Sequence, residues 1–215
     1  MDERKALTDR DKLLASALDH VPFVGWTDGA LWAAANDQSI DKATARRLFP
    51  SGGHGLLTLL LRQWNQRMIE ALAAMDLESM RIRERIATAV RVRLEQNSHH
   101  REAIRLGLAH FALPQHAAEG TRWLYDTVDA MWRAAGDTST DYNFYTKRLL
   151  LAGVYASTLV YWLDDRSENS EDTWAFLDRR IENVMGIQKI RGRLEGMMPN
   201  FDRLAGFLRP RRSAS

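Results

Sequence analysis

Cysteine is absent from this 215-residue sequence, and proline is scarce, with five copies. The first absence excludes a disulfide scaffold, thiolate-bound zinc, iron–sulfur clusters and a thiol nucleophile, and it fits a reducing compartment. With thirteen glycines as well, the chain is neither collagen-like nor low-complexity. Long apolar runs are also missing. The longest uncharged stretch, Leu149 to Leu163, is 15 residues, short of the roughly 20 that a membrane-spanning helix needs. It predicts a buried core helix, in a soluble protein whose membrane contacts are peripheral. The opening MDERKALTDRDK has no apolar centre and carries four acids, so neither a secretory signal nor a transit peptide is expected. Nucleophile elbow, Walker loop and His-Glu-x-x-His are all missing, so no catalytic residue and no cofactor are expected.

What is present is apolar periodicity. Hydrophobic residues recur at intervals of three and four, and no stretch alternates for long enough to be a strand. The pattern predicts nine helices, at about 9–19, 27–35, 41–49, 56–75, 82–97, 99–111, 116–135, 141–164 and 173–185, in one all-α domain. Thr27 is placed to cap the second helix. Breaks are expected at Val21-Pro22 and Gly25, at Pro50-Ser51-Gly52-Gly53, at the acidic loop from Asp164 to Asp172, and at Gly186. Boundaries follow at residues 52 and 186: an N-terminal three-helix unit (1–52), a helical body (53–186) and a C-terminal segment (187–215).

Net charge is +2, but it is unevenly spread. From Gly186 to Ser215 seven basic residues face two acidic ones, so a basic tail follows a mildly acidic body. Such a body is a poor electrostatic match for nucleic acid. The six histidines look scattered, and His116 with Glu119 supplies one His and one Glu where a di-iron bundle needs paired Glu-x-x-His motifs. No metal site is expected.

The first three helices have helix-turn-helix proportions, the third carrying Lys42, Arg46 and Arg47; any small three-helix unit shares that outline. Through Ile40-Asp41-Lys42 and Leu48-Phe49-Pro50-Ser51, this unit and the larger body behind it resemble the TetR-type repressor fold. Repressors of that type place a phosphate-binding tyrosine three residues before the Phe and a lysine four residues after it. Here those positions are Arg46 and Gly53. The resemblance implies the fold, while DNA binding is not expected to carry over.

The second half carries a longer match. WRAAGDTSTDYNFYTKR, Trp132 to Arg148, and EDTWAFLDRRIENVM, Glu171 to Met185, resemble the ubiquinone-biosynthesis accessory protein family. In that family a TetR-like fold has become a lipid-binding protein. The resemblance implies a non-enzymatic protein that binds isoprenoid lipids or quinone precursors and assists the di-iron demethoxyubiquinone hydroxylase. It also implies a hydroxylase-binding patch on Asp129, Met131, Phe144, Tyr145 and Arg148, with Phe144 where animal members show tryptophan. A weak lean toward a homodimer comes from the TetR-type resemblance, since bodies of that type often pair through their last helices. The expected location is the cytoplasmic side of a bacterial inner membrane, or the matrix face of its mitochondrial counterpart.

Residue chemistry narrows the sites. Asp141 sits at the start of the eighth helix, favourable to its dipole, and the aromatics Tyr142, Phe144 and Tyr145 cannot all face inward, so this turn is the expected partner surface. Met131 shares a stripe with Val128 and is equally readable as core. The apolar eighth helix lacks a polar stripe and is expected to be surrounded on all sides. Leu149, Ala152, Gly153, Ala156, Leu159 and Val160 are then candidates to line either a filled core or a cavity for a lipid tail. In the tail, Ile187, Ile190, Leu194, Met197, Phe201, Leu204, Phe207 and Leu208 alternate with Lys189, Arg191, Arg193 and Arg203. That pattern fits a helix lying in a membrane interface, a helix docked on the body, or a partner-binding helix.

Overall fold

The computed structural model describes residues 3–137 and 142–197, and among them every long element is helical. The order is α1 (Glu3–Val24), α2 (Asp28–Asp37), α3 (Lys42–Leu48), α4 (Gly52–Ala73), α5 (Ile82–Glu95), α6 (Arg101–Ala112), α7 (Ala117–Ala134), α8 (Tyr142–Asp164) and α9 (Glu171–Met197). Short 3-10 turns precede α6 and α9. No helix among the described residues is long and apolar enough to cross a membrane.

Local chemistry explains most of the ends. The Thr27 hydroxyl accepts from the Gly29 amide and caps α2, as expected, and the Asp41 carboxylate accepts from Thr44 and caps α3. Two expected breaks do not occur. Helix α1 runs through Pro22, because a proline so near the end removes one internal hydrogen bond. The helix stops at Gly25, whose left-handed φ of 69° lets its amide reach the Val21 carbonyl at 2.8 Å. Helix α9 likewise continues past Gly186 to Met197, since a lone glycine weakens a helix without ending it.

Two apolar cores share one long helix. Leu13, Leu14, Val21, Leu31 and Phe49 of the N-terminal unit pack against Leu56, Leu57, Leu60 and Trp64 of α4. One turn further, Met68 and Leu72 of the same helix join Val90, Val128, Met131, Val154, Trp162 and Leu177 of the body. Each such side chain fully buried contributes about 1.5–3 kcal/mol, so α4 commits both halves to one frame. Trp26 adds a tie, donating its indole N–H to the Ala103 carbonyl of α6 at 2.9 Å.

Helix α8 departs from expectation. Leu151, Val154, Tyr155, Thr158, Leu159 and Trp162 are buried, but the opposite face is open. Leu149 is 76% exposed and Val160 58%, Gly153 is exposed, and a Cβ added to Gly153 would meet nothing within 4 Å. The apolar composition of this helix therefore serves two surfaces, one packed and one bare.

Candidate functional site

Three of the residues expected to line an enclosed cavity, Leu149, Gly153 and Val160, lie on that outer face; Ala152 and Ala156 are half-buried at its edge, and Leu159 points into the core. The buried apolar cavity beside Leu159 measures about 70 Å³, bounded by Leu57, Trp64, Leu94, Phe111 and Tyr155, which is far below the few hundred Å³ of a ligand pocket. It has a polar corner that the sequence did not disclose. Arg93 is buried over the Trp64 ring, 5.3 Å from its centroid, and burial pushes its guanidinium pKa down. Arg93 Nε, Trp64 Nε1 and Asn97 Oδ1 have no hydrogen-bond partner among the described residues.

The expected partner patch resolves into a support and a tip. Arg148, 2% exposed, donates from Nε to Asp129 at 2.5 Å and from Nη1 to Asp137 at 3.1 Å, while its guanidinium lies 3.3 Å from the Phe144 ring centroid. Arg133 and Lys147 complete the network on Asp129 and Asp137, each at 2.8 Å. Within the AGDTSTD…KR string, Asp137, Lys147 and Arg148 form ion pairs that tie the end of α7 to α8. Met131 is fully buried with Val128, so its place is the core and not the surface. Tyr145 is the outward residue, 66% exposed and edge-on to Phe144 at 5.1 Å. Four positions later comes Leu149, then Gly153, then Val160. Helical spacing thus sets Tyr145 and the bare stripe on one face of α8, a continuity that treating them as two separate sites conceals.

Past the stripe, Tyr161 stacks on Phe176 of α9 with ring centroids 4.6 Å apart. The α8–α9 corner is tied by Asp165. Burial alone would raise its carboxyl, but hydrogen bonds from the Ser167 and Thr173 hydroxyls and amides outweigh this and hold its pKa at about 2. Arg101 and Arg105 of α6 donate to the carbonyls of Asp165 and Leu163 at 2.6 and 2.9 Å, satisfying groups freed where α8 ends. Of the expected membrane residues, Ile190, Leu194 and Met197 fall within the backbone span of α9; Phe201, Leu204, Phe207 and Leu208 lie outside the described residues, as does Asp141.

In the N-terminal unit Arg46 is engaged internally. It pairs with Asp28, donates to the Pro50 carbonyl at 3.3 Å and lies 4.8 Å from the Trp32 ring centroid. Gly53, where a repressor would carry its lysine, packs on the Trp26 carbonyl and Thr27 amide so closely that a Cβ there would clash with backbone. The expectation of scattered histidines does not hold for three of them. His54, His110 and His116 converge, from positions too far apart in sequence for any spacing rule to join.

The sequence model of the COQ9 family matches residues 117–188. The ubiquinone biosynthesis protein COQ9 of rat mitochondria is 34% identical over 187 residues, covering 82% of this chain and 58% of the rat protein. Its Drosophila melanogaster counterpart is 31% identical over 208 residues, covering 94% of this chain and 64% of the fly protein, and the human one 31% over 183 residues, 82% and 57%. The chain thus spans about three fifths of the length of these relatives. Among solved structures, a TetR transcriptional regulator from Nitrosomonas europaea superposes with a TM-score of 0.69 at 20% identity, covering 82% of this chain and 97% of that one. That likeness shows the fold. The chain is similar to COQ9 proteins over most of its length, with the segment that matches the COQ9 family at residues 117–188 carried on a TetR-like all-α frame.

Proposed function

We propose that this chain acts in ubiquinone biosynthesis as a non-enzymatic lipid-binding accessory protein, receiving an isoprenoid quinone precursor at a membrane and presenting it to the demethoxyubiquinone hydroxylase. The observation that carries this reading is the bare apolar stripe of α8, running from Tyr145 through Leu149 and Gly153 to Val160. The names of the relatives supply the pathway. Contiguous apolar surface left open on a folded chain marks a partner or lipid, and each CH₂ taken from water onto such a surface gains about 0.8 kcal/mol. The tail lies along the stripe. Tyr145, at the end nearest the Arg148 network, makes the contact with the hydroxylase, while that network ties α7 to α8. The basic, amphipathic stretch from Ile187 onward rests on the membrane, peripherally, on the matrix side or its bacterial equivalent. A second copy of the chain is the competing occupant of the stripe.

Arg46 tied to Asp28 and the lack of room at Gly53 speak against a repressor's phosphate contacts. The test is native mass spectrometry of the purified chain with lipid extraction, beside a hydroxylase pull-down. A co-purifying isoprenoid lipid is expected, together with capture of the hydroxylase that falls at least tenfold in Tyr145→Ala while the melting temperature is unchanged. A lipid-free protein that shifts operator-like DNA with a steep salt dependence would overturn the proposal.

A further inference from the structure

Where the first turn of α4, the last turn of α6 and the start of α7 converge, three imidazoles form a cluster. His54 belongs to α4, His110 to α6, and His116 immediately precedes α7. All three are half-buried, and one ring nitrogen of each lies within 4.8 Å of the others. Nδ1 of His54 and Nε2 of His110 share a hydrogen bond of 3.0 Å. The rings of His110 and His116 stack at 4.3 Å between centroids, and Phe111 stands edge-on to His110 at 5.5 Å as an apolar wall.

We propose that His54, His110 and His116 form a binding site for a divalent first-row transition metal, zinc above all, with Glu119 orienting the His54 ring. Neutral imidazole is the nitrogen ligand these ions prefer. In a tetrahedral zinc site with bonds of 2.0–2.1 Å, ligand nitrogens stand about 3.4 Å apart. One pair here is already at 3.0 Å, and the widest separation of 4.8 Å exceeds the requirement by about 1.4 Å, within reach of side-chain rotation that unstacks the rings. The second observation is the carboxylate. Glu119 Oε2 lies 3.1 Å from Nε2 of His54, and its other oxygen accepts from the Trp123 indole at 3.3 Å. A carboxylate on the distal nitrogen keeps the proton there and leaves Nδ1 free to face the other rings, the arrangement that supports metal-ligating histidines. Three imidazoles leave the fourth position to water.

The site would pin α4, the helix common to both cores, to α6 and α7, so binding would stabilise the junction by mass action. None of the residues of the α8 face takes part, so the metal site and the lipid reading stand or fall separately.

Untagged full chain, stripped with chelator, is titrated with zinc chloride in a calorimeter and with cobalt(II) in a spectrophotometer. The expected result is one equivalent per chain, bound at about micromolar Kd or tighter, with the visible bands of four-coordinate cobalt. Replacing His110→Gln and His116→Gln together weakens binding by at least ~100-fold, and Glu119→Gln by about 10–100-fold at unchanged stoichiometry. His99→Gln, outside the cluster, leaves affinity as in the wild type. Circular dichroism separates loss of ligands from loss of fold, and the wild-type cobalt spectrum reads the ligation without any variant. Absence of saturable binding by the wild type, or wild-type affinity in the double histidine variant, would overturn the site.

Discussion

Gly53 packs so tightly on the backbone of Trp26 and Thr27 that a single added methyl group has nowhere to go. Neither neighbour is a side chain that can rotate away, so Gly53→Ala should cost about 3 kcal/mol, the upper end of overpacking penalties. Gly153, in the middle of α8, is the counter-case: its Cβ would enter open space. There the change restores helix propensity, and Gly153→Ala should stabilise by about 0.5–1 kcal/mol. Thermal melts of the two variants should therefore move in opposite directions, by roughly 2–4 °C per kcal/mol for a chain of this size. Equal shifts would mean that Gly53 does not press on the Trp26–Thr27 backbone or that Gly153 does not face open space. At the same scale, Arg148 shows why a charged residue in a matching string need not be a contact. At 2% exposure its charge is directed at Asp129 and Asp137 and not at solvent.

Helix positions and types were legible in the sequence because apolar spacing and capping residues are local. Thr27, Asp41 and Gly25 act within a few residues of themselves. What escaped depends on neighbours distant in sequence. Whether both sides of α8 are covered is decided by where α7 and α9 lie, and nothing in Leu149–Leu163 distinguishes a packed apolar face from a bare one. The histidine cluster escaped for the same reason, since its three rings come from α4, α6 and the approach to α7 and are joined only by tertiary packing. The α8–α9 corner is the element whose chemistry makes a pH prediction. Asp165 has a folded pKa of about 2 against an ordinary 3.8, a depressed value, so its contribution is fully present above pH 4 and is lost as pH falls from about 4 to 2. Because the group is partly exposed, solvent screening reduces that contribution to about 1 kcal/mol. Asp165→Asn should lower the melting temperature at pH 7 and leave that of pH 2 nearly unchanged. A pH-independent loss would mean that the corner is held by packing and not by the carboxylate.

Across the whole molecule the division of labour follows from α4. By contributing Leu56 to Trp64 to one core and Met68 and Leu72 to the other, it ties the N-terminal helices to the body. The outer face of α8 is an apolar surface left exposed among the described residues, and what covers it is the question on which function turns. Leu149→Glu together with Val160→Glu places two charges on that face without touching either core. As exposed substitutions they should change folding stability by less than about 0.5 kcal/mol each, while any apolar occupant must then desolvate two carboxylates. Lipid content after extraction and mass by light scattering, measured on the same preparation, separate the occupants. Lipid lost at constant mass assigns the stripe to a tail. Mass halved at constant lipid content assigns it to a second copy of the chain, and moves lipid binding elsewhere. A collapse of the melting temperature would instead show that the face is packed in the folded protein, because only burial makes a surface carboxylate that costly.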